Sequence, residues 1–219
     1  MNAPGQPWAG TASPRGRLLQ AAIATVSTVG YDGTSVEMIS QAAGLPEGEF
    51  ERRFAGKDEC CRAAFEDVCE HFDRSMLPIY ARPVPPATKI AIALYTAADY
   101  CSEHEQRVRF GIQARSRYGA IPRAESSLRF HLGQMDSLRY DSPAAQRRIP
   151  EVAPELCVGF FLGLLVKLGS TGRLADLHRE IPTLLRSIFT VYFGPNLADR
   201  FLRDHKIAEE SGIGGDRPH

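Results

Sequence analysis

A chain of 219 residues with 43% hydrophobic side chains has ample apolar material for one large helical unit or two closely packed domains, which excludes a wholly disordered protein. Its 26 basic and 26 acidic residues cancel, so it is no generally basic nucleic-acid coat, and any DNA contact has to come from a local patch. Five cysteines, an odd number without regular spacing, argue against a disulfide framework and fit buried thiols in a reducing compartment.

Residues 1–12, rich in Pro, Gly and Ala, read as a flexible arm without the apolar run of a signal peptide. Ser13-Pro14 opens a helix, with serine as N-cap and proline in the first turn. Leu18, Leu19, Ala22, Ile23, Val26 and Val29 then recur at helical spacing, and Gly30 ends the run. Arg15 and Arg17 lie at its start, where cations oppose the helix dipole and a nearby phosphate would offset them.

Thr34–Phe54, TSVEMISQAAGLPEGEFERRF, reads as two short helices around a tight turn. Thr34 and Glu37 have capping-box spacing. Val36, Ile39 and Ala43 share one face, and Gly44 can adopt the left-handed conformation that stops a helix before Leu45-Pro46. Phe50 and Phe54 put two rings on one face of a second helix, Pro46–Phe54. This is the helix-turn-helix pattern, whose second helix enters the DNA major groove.

After a break at Ala55-Gly56-Lys57-Asp58, a long helix is expected from Asp58 to about Ala81, with Cys61, Phe65, Val68, Phe72, Met76 and Tyr80 on its apolar side. Arg82-Pro83-Val84-Pro85-Pro86 stops it. Further helices are expected over Ala87–Glu103, Gln106–Tyr118 (inner face Val108, Phe110 and Ile112) and Pro122–Tyr140 (inner face Leu128, Leu132, Met135 and Leu138). Pro154–Leu168 is apolar nearly all round, as a helix buried on most sides would be, and its run Leu156–Val166 is too short to span a bilayer. Ile181–Phe193 is the last helix, and residues 211–219 should fray. No alternating strand pattern occurs, so the expected fold is all-α: a three-helix head at 13–57, with its motif at 35–54, and a larger helical body at 58–210.

These residues resemble the TetR family of bacterial transcriptional regulators. The likeness is carried by Arg15-Gly16-Arg17-Leu18-Leu19-Gln20-Ala21-Ala22, Gly30-Tyr31-Asp32-Gly33-Thr34-Ser35, Ile39 with Ala42-Ala43-Gly44-Leu45, and Gly48, Phe50, Phe54 and Lys57. It covers Arg17–Lys57 closely and the remainder only in architecture. With no signal-like or bilayer-spanning run the chain is expected in the cytoplasm, and the resemblance implies a ligand-responsive regulator, expected to be a repressor, that binds a palindromic double-stranded DNA operator as a homodimer. It implies a DNA-contacting set of Arg15, Arg17, Thr34, Ser35, Pro46, Glu47, Glu49, Glu51, Arg52, Arg53 and Lys57, and a dimer seam along the last two long helices.

The chain departs from that pattern. Members usually carry Ser or Thr where Pro46 stands, and Lys or Arg, Thr or Ser, Tyr, and His where Glu47, Glu49, Glu51 and Arg53 stand. Glu47 and Glu49 in the first turn suit the helix dipole by about 0.3–1 kcal/mol each. The same charges repel phosphates, although a carboxylate can read a cytosine amino group. The alternative function is therefore a TetR-like dimeric module that binds a small molecule or a protein and whose acidic head has lost specific DNA binding.

For the body, Phe72, Met76, Tyr95, Phe110, Tyr118, Phe130, Met135 and Phe161 are candidates to line a cavity for a small apolar or amphipathic ligand. Gly159 and Gly163, four apart, with Leu164, Leu185 and Phe189, are candidates for the dimer interface. Cys101 and His104 fall short of a four-ligand zinc set, and Cys60-Cys61 beside Lys57 and Arg62 is a weak candidate for a reactive thiol. No phosphate loop, nucleophile elbow or HExxH occurs, so no catalytic residue, metal, cofactor or membrane partner is expected.

Overall fold

The computed structural model describes residues 12–119, 122–135 and 153–194, together with 198, 199 and 202. These residues are mostly helical, with no strand among them. The chain divides into two compact units, one of residues 1–72 with 103–122 and one of 73–102 with 123–219.

The first unit begins with α1 (Pro14–Val29). Ser13 Oγ accepts from the Gly16 N–H at 3.0 Å, and Pro14 occupies a position whose missing N–H costs nothing. Leu18, Leu19, Ala22, Ile23 and Val26 are buried as expected. Val29, the last residue of the helix, is not: it is 47% exposed.

In α2 (Val36–Ala43) the cap sits one residue later than expected. Ser35, not Thr34, accepts from the Met38 N–H. The Thr34 hydroxyl donates to the Gly30 carbonyl at 2.7 Å, inside the turn that follows α1. Of two adjacent hydroxyls, the turn takes one and the helix the other. The Glu37 carboxyl is held below its usual range by the Ser35 hydroxyl and its own backbone N–H.

Gly44 ends α2 at φ 61°, where a side chain would also meet the Arg17 guanidinium. Then α3 runs only Glu47–Glu51, shorter than the expected Pro46–Phe54. Pro46 offers no capping side chain, and the N–H groups of Arg53 and Phe54 share the Phe50 carbonyl, so the helix tightens into a turn. Phe50 and Phe54 remain paired, with ring centroids 5.6 Å apart, and both are buried in the core with Leu18, Ile23 and Ile39.

The long helix α4 (Lys57–Tyr80) starts where the Glu59 carboxylate reaches back to the Ala55 N–H. Its residues up to Phe72 belong to the first unit and the remainder to the second. The first unit extends past the expected boundary at Lys57, because α6 (Glu105–Tyr118) packs on α1. Phe110 and Ala114 enter the same core as Phe50 and Phe54. The expected face of α6 is corrected in part. Val108 and Ile112 are only half-buried, whereas Arg107 is buried, donating to Asp67 Oδ2 at 3.2 Å and Gln20 Oε1 at 2.9 Å.

In the second unit, α5 (Pro86–Glu103) buries Ile90, Ile92, Leu94, Tyr95 and Ala98. α7 (Arg123–Gln134) has a remote cap: Asp73, itself buried, accepts from the Arg123 N–H at 3.1 Å and the Ala124 N–H at 2.8 Å. Leu138 lies outside the described residues. α8 (Ala153–Ser170) is two-faced, contrary to the expectation of burial on most sides. Cys157, Val158, Phe161, Leu165 and Leu168 face inward, while Leu156, Phe160 and Val166 are 45–51% exposed. A 3₁₀ turn, Leu174–Asp176, leads into α9 (Leu177–Phe193), which begins a turn before the expected Ile181 because Leu177 also enters the core.

Candidate nucleic-acid interface

The turn between α2 and α3 is built from α1. The Arg17 guanidinium donates to the Ala43 carbonyl at 2.5 Å and the Gly44 carbonyl at 3.1 Å, satisfying acceptors that a helix C-terminus leaves orphaned. Lys57 does the same work on the other side, its ammonium donating to the Tyr31 carbonyl at 2.9 Å and the Thr34 carbonyl at 2.7 Å. Arg17 and Lys57, two of the five cations of the DNA-contacting set, are thus tied to backbone oxygens of the motif. Thr34 is 3% exposed with its hydroxyl bonded to the Gly30 carbonyl, and the Ser35 hydroxyl is engaged as the α2 cap. Arg15 is exposed, its guanidinium 5.6 Å from the Phe54 ring centroid.

The outward surface of α3 holds Pro46, Glu47, Glu51 and Arg52, all exposed. Arg52 and Arg53 converge on one carboxylate. Arg52 pairs with Glu49, and its Nε donates to the Gly48 carbonyl at 3.2 Å. Arg53 donates from Nη1 both to Glu49 Oε2, at 2.5 Å, and to the Glu49 carbonyl, at 2.9 Å. Glu47 and Glu51 form no comparable ion pair among the described residues.

A second cluster in this unit was not visible in sequence. The Asp58 carboxylate accepts from Tyr31 at 3.1 Å, Arg62 at 3.2 Å, Arg117 at 3.2 Å and Tyr118 at 3.3 Å. The Arg117 bond and the neighbouring donors hold this carboxyl below its usual range. Arg117 also lies over the Tyr31 ring at 3.9 Å, and Lys57 contacts the same ring at 4.3 Å. Tyr31 is accordingly harder to ionise, by burial first and by its bond to Asp58. No local signal points to this cluster, because Arg117 and Asp58 are 59 residues apart.

The eight cavity candidates do not gather in one unit. Met76, Tyr95, Met135 and Phe161 are buried in the second. Phe110 is core of the first, and Phe72 and Tyr118 also belong there, with the Tyr118 hydroxyl on Asp58. Phe130 is 62% exposed. The interface candidates divide as well. Gly159 and Gly163 are exposed and Leu164 is half-buried, but Leu185 and Phe189 lie in the core of the second unit, since α9 turns that stripe inward. The apolar residues that α8 does expose are Leu156, Phe160 and Val166.

Burial pushes the thiols of Cys60 and Cys61 up to about 12 and about 11, so both remain protonated and poorly nucleophilic at neutral pH. Cys101, beside His104, is likewise raised to about 12. No group of three or more metal-binding side chains gathers among the described residues.

Residues 18–64 match the family model described as bacterial regulatory proteins, tetR family. No curated protein matches the chain in sequence. Solved structures share its fold. SmeT, the repressor of the Stenotrophomonas maltophilia multidrug efflux pump SmeDEF, aligns with a TM-score of 0.59 at 22% identity over 84% of this chain and 92% of its own. The transcriptional regulator FadR from Bacillus subtilis, in complex with stearoyl-CoA, aligns with 0.66 at 14% identity over 81% and 97%. A TetR-like transcriptional regulator from a Rhodococcus species aligns with 0.61 at 18% identity over 90% and 98%.

Proposed function

We propose, from a head whose residues 18–64 match the tetR family model and a fold shared with solved tetR-type regulators, that this chain is a ligand-responsive transcriptional regulator that binds a palindromic operator as a homodimer. The observation that carries the reading is the α2–α3 pair. It is held rigidly on α1 by Phe50, Phe54 and the Arg17 bonds, and its outer surface is free. A rigid helix pair with an exposed second helix is what major-groove docking requires. On this reading Glu47, Glu51, Arg52 and Arg53, on or beside the exposed second helix, meet DNA, with Arg15 at the edge. Arg17, Thr34 and Lys57 support the motif instead.

The exposed Leu156, Phe160 and Val166, beside the bare Gly159 and Gly163, form the face on which a second copy would pack. Two heads related by a two-fold axis would read half-sites a helical turn, or a multiple of one, apart. The ligand is taken to be small and apolar or amphipathic, in keeping with the Met76, Tyr95, Met135 and Phe161 interior and with the stearoyl-CoA held by the Bacillus subtilis structure. It acts through unequal affinity for two arrangements of the dimer, and repression is the expected outcome in the cell.

Glu49's hold on both arginines favours one competing reading, a dimeric binding module with a vestigial head. Selection from a random duplex pool separates the two. Enrichment of a two-fold-symmetric sequence supports the regulator. Recovery of an unenriched pool supports the vestigial head.

A further inference from the structure

We infer that Glu49 is a built-in competitor for the DNA backbone: in the free head its carboxylate occupies Arg52 and Arg53, and the head takes up phosphate by exchanging that carboxylate for a phosphate oxygen. This rests on the DNA-binding reading above and adds the regulation of the same surface.

The geometry is selective. Three glutamates stand on α3, yet only Glu49 engages arginine among the described residues, and it engages two. Its side chain is 20% exposed, and that of Arg53 is 28% exposed, so this pair is shielded from water on most sides. Arg53 is fixed further by its bond to the Glu49 carbonyl, while Arg52, 69% exposed, sits on the open side. An exposed pair alone contributes little, but a three-membered network around one carboxylate is more persistent. Carboxylate and phosphate present the same fork of oxygens to a guanidinium, so they compete for the same N–H groups. While Glu49 holds both arginines, the trio carries one net positive charge in place of two.

DNA affinity follows the number of phosphates neutralised, with a salt slope of about 0.9 per phosphate. Removing the competing charge should therefore steepen the slope by about 0.9 per head and tighten binding at 0.1 M salt roughly eightfold per head. Glu49→Gln keeps the size of the side chain and removes its charge. Glu51→Gln removes the same charge from the same helix without releasing an arginine.

The test uses the full chain and a short mixed-sequence duplex, read by fluorescence anisotropy from about 50 to 200 mM salt, with thermal melting of each variant alongside. The expected result is a steeper slope and tighter binding for Glu49→Gln, and less than half that change for Glu51→Gln. Equal changes in the two variants would assign the effect to bulk charge and overturn the exchange. An unchanged or weaker Glu49→Gln would overturn it as well, leaving DNA binding itself in place. No duplex binding by any of the three at the lowest salt would remove the DNA-binding reading together with this one.

Discussion

Replacing Arg17 with alanine separates a structural cation from a DNA contact. In the structure this guanidinium bonds the carbonyls of Ala43 and Gly44, the last acceptors of α2. Hydrogen bonds from a charged donor contribute about 1.5–3 kcal/mol when buried, and a cation at a helix C-terminus adds about 0.3–1 kcal/mol. One bond is only partly buried and the other exposed, so water recovers much of this on substitution. The net cost is about 1–2 kcal/mol, or about 2–8 °C in Tm for a chain of this length. Calorimetry on Arg17→Ala reads the loss directly, and the salt dependence of DNA binding read in parallel should keep its slope. A slope shallower by about 0.9 per head with an unmoved Tm would show that Arg17 holds a phosphate, and would refute its assignment as a cap.

In the second unit, Asp73→Ala strands the Arg123 and Ala124 N–H groups and should lower stability by about 2–4 kcal/mol in urea unfolding, with Asp73→Asn losing less. A loss below about 0.5 kcal/mol would mean that α7 finds another cap. Phe160→Asp, in the exposed face of α8, should shift sedimentation to the monomer, and a persistent dimer would place the seam elsewhere. Acid should weaken the fold in the histidine range. Burial lowers the affinity of His131 and His104 for protons, so the unfolded chain binds more of them. Their contribution is present above the unfolded value of about 6.5 and is lost as pH falls below it. His131, stacked on Tyr80 and bonded to Gln134, with Lys89 acting unfavourably on its charged form, can be tested as His131→Phe. Its Tm should fall less than that of the parent between pH 7.5 and 5; parallel profiles would remove this histidine from the account.

What the sequence disclosed was local. Ser13-Pro14, Gly30, Gly44 and the Phe50–Phe54 pair each act within one helical turn, and each stands where spacing put it. What it concealed depends on distant partners. Asp73 caps a helix that begins 50 residues later, and Arg107 is buried because Asp67 and Gln20 meet it. Aromatic identity does not tell a ligand cavity from the core of the first unit, which is why Phe110 stands beside Met135 among the cavity candidates. The capping-box spacing points to Thr34, but the Gly30 turn takes that hydroxyl and leaves the cap to Ser35. The Glu49 network is different: its partners lie three and four residues on, the ordinary spacing of helical ion pairs, and it was legible in principle.

The central claim is that the exposed surface of α3 meets the phosphates and bases of an operator. The most direct measurement is the salt dependence of full-length protein binding to the duplex recovered by selection, compared with an unrelated duplex of equal length. Tighter binding of the selected duplex, with a linear loss of log affinity against log salt and a slope reduced by Arg52→Ala or Arg53→Ala, is the expected result. Equal affinity for both duplexes, or a slope that neither substitution alters, would contradict it.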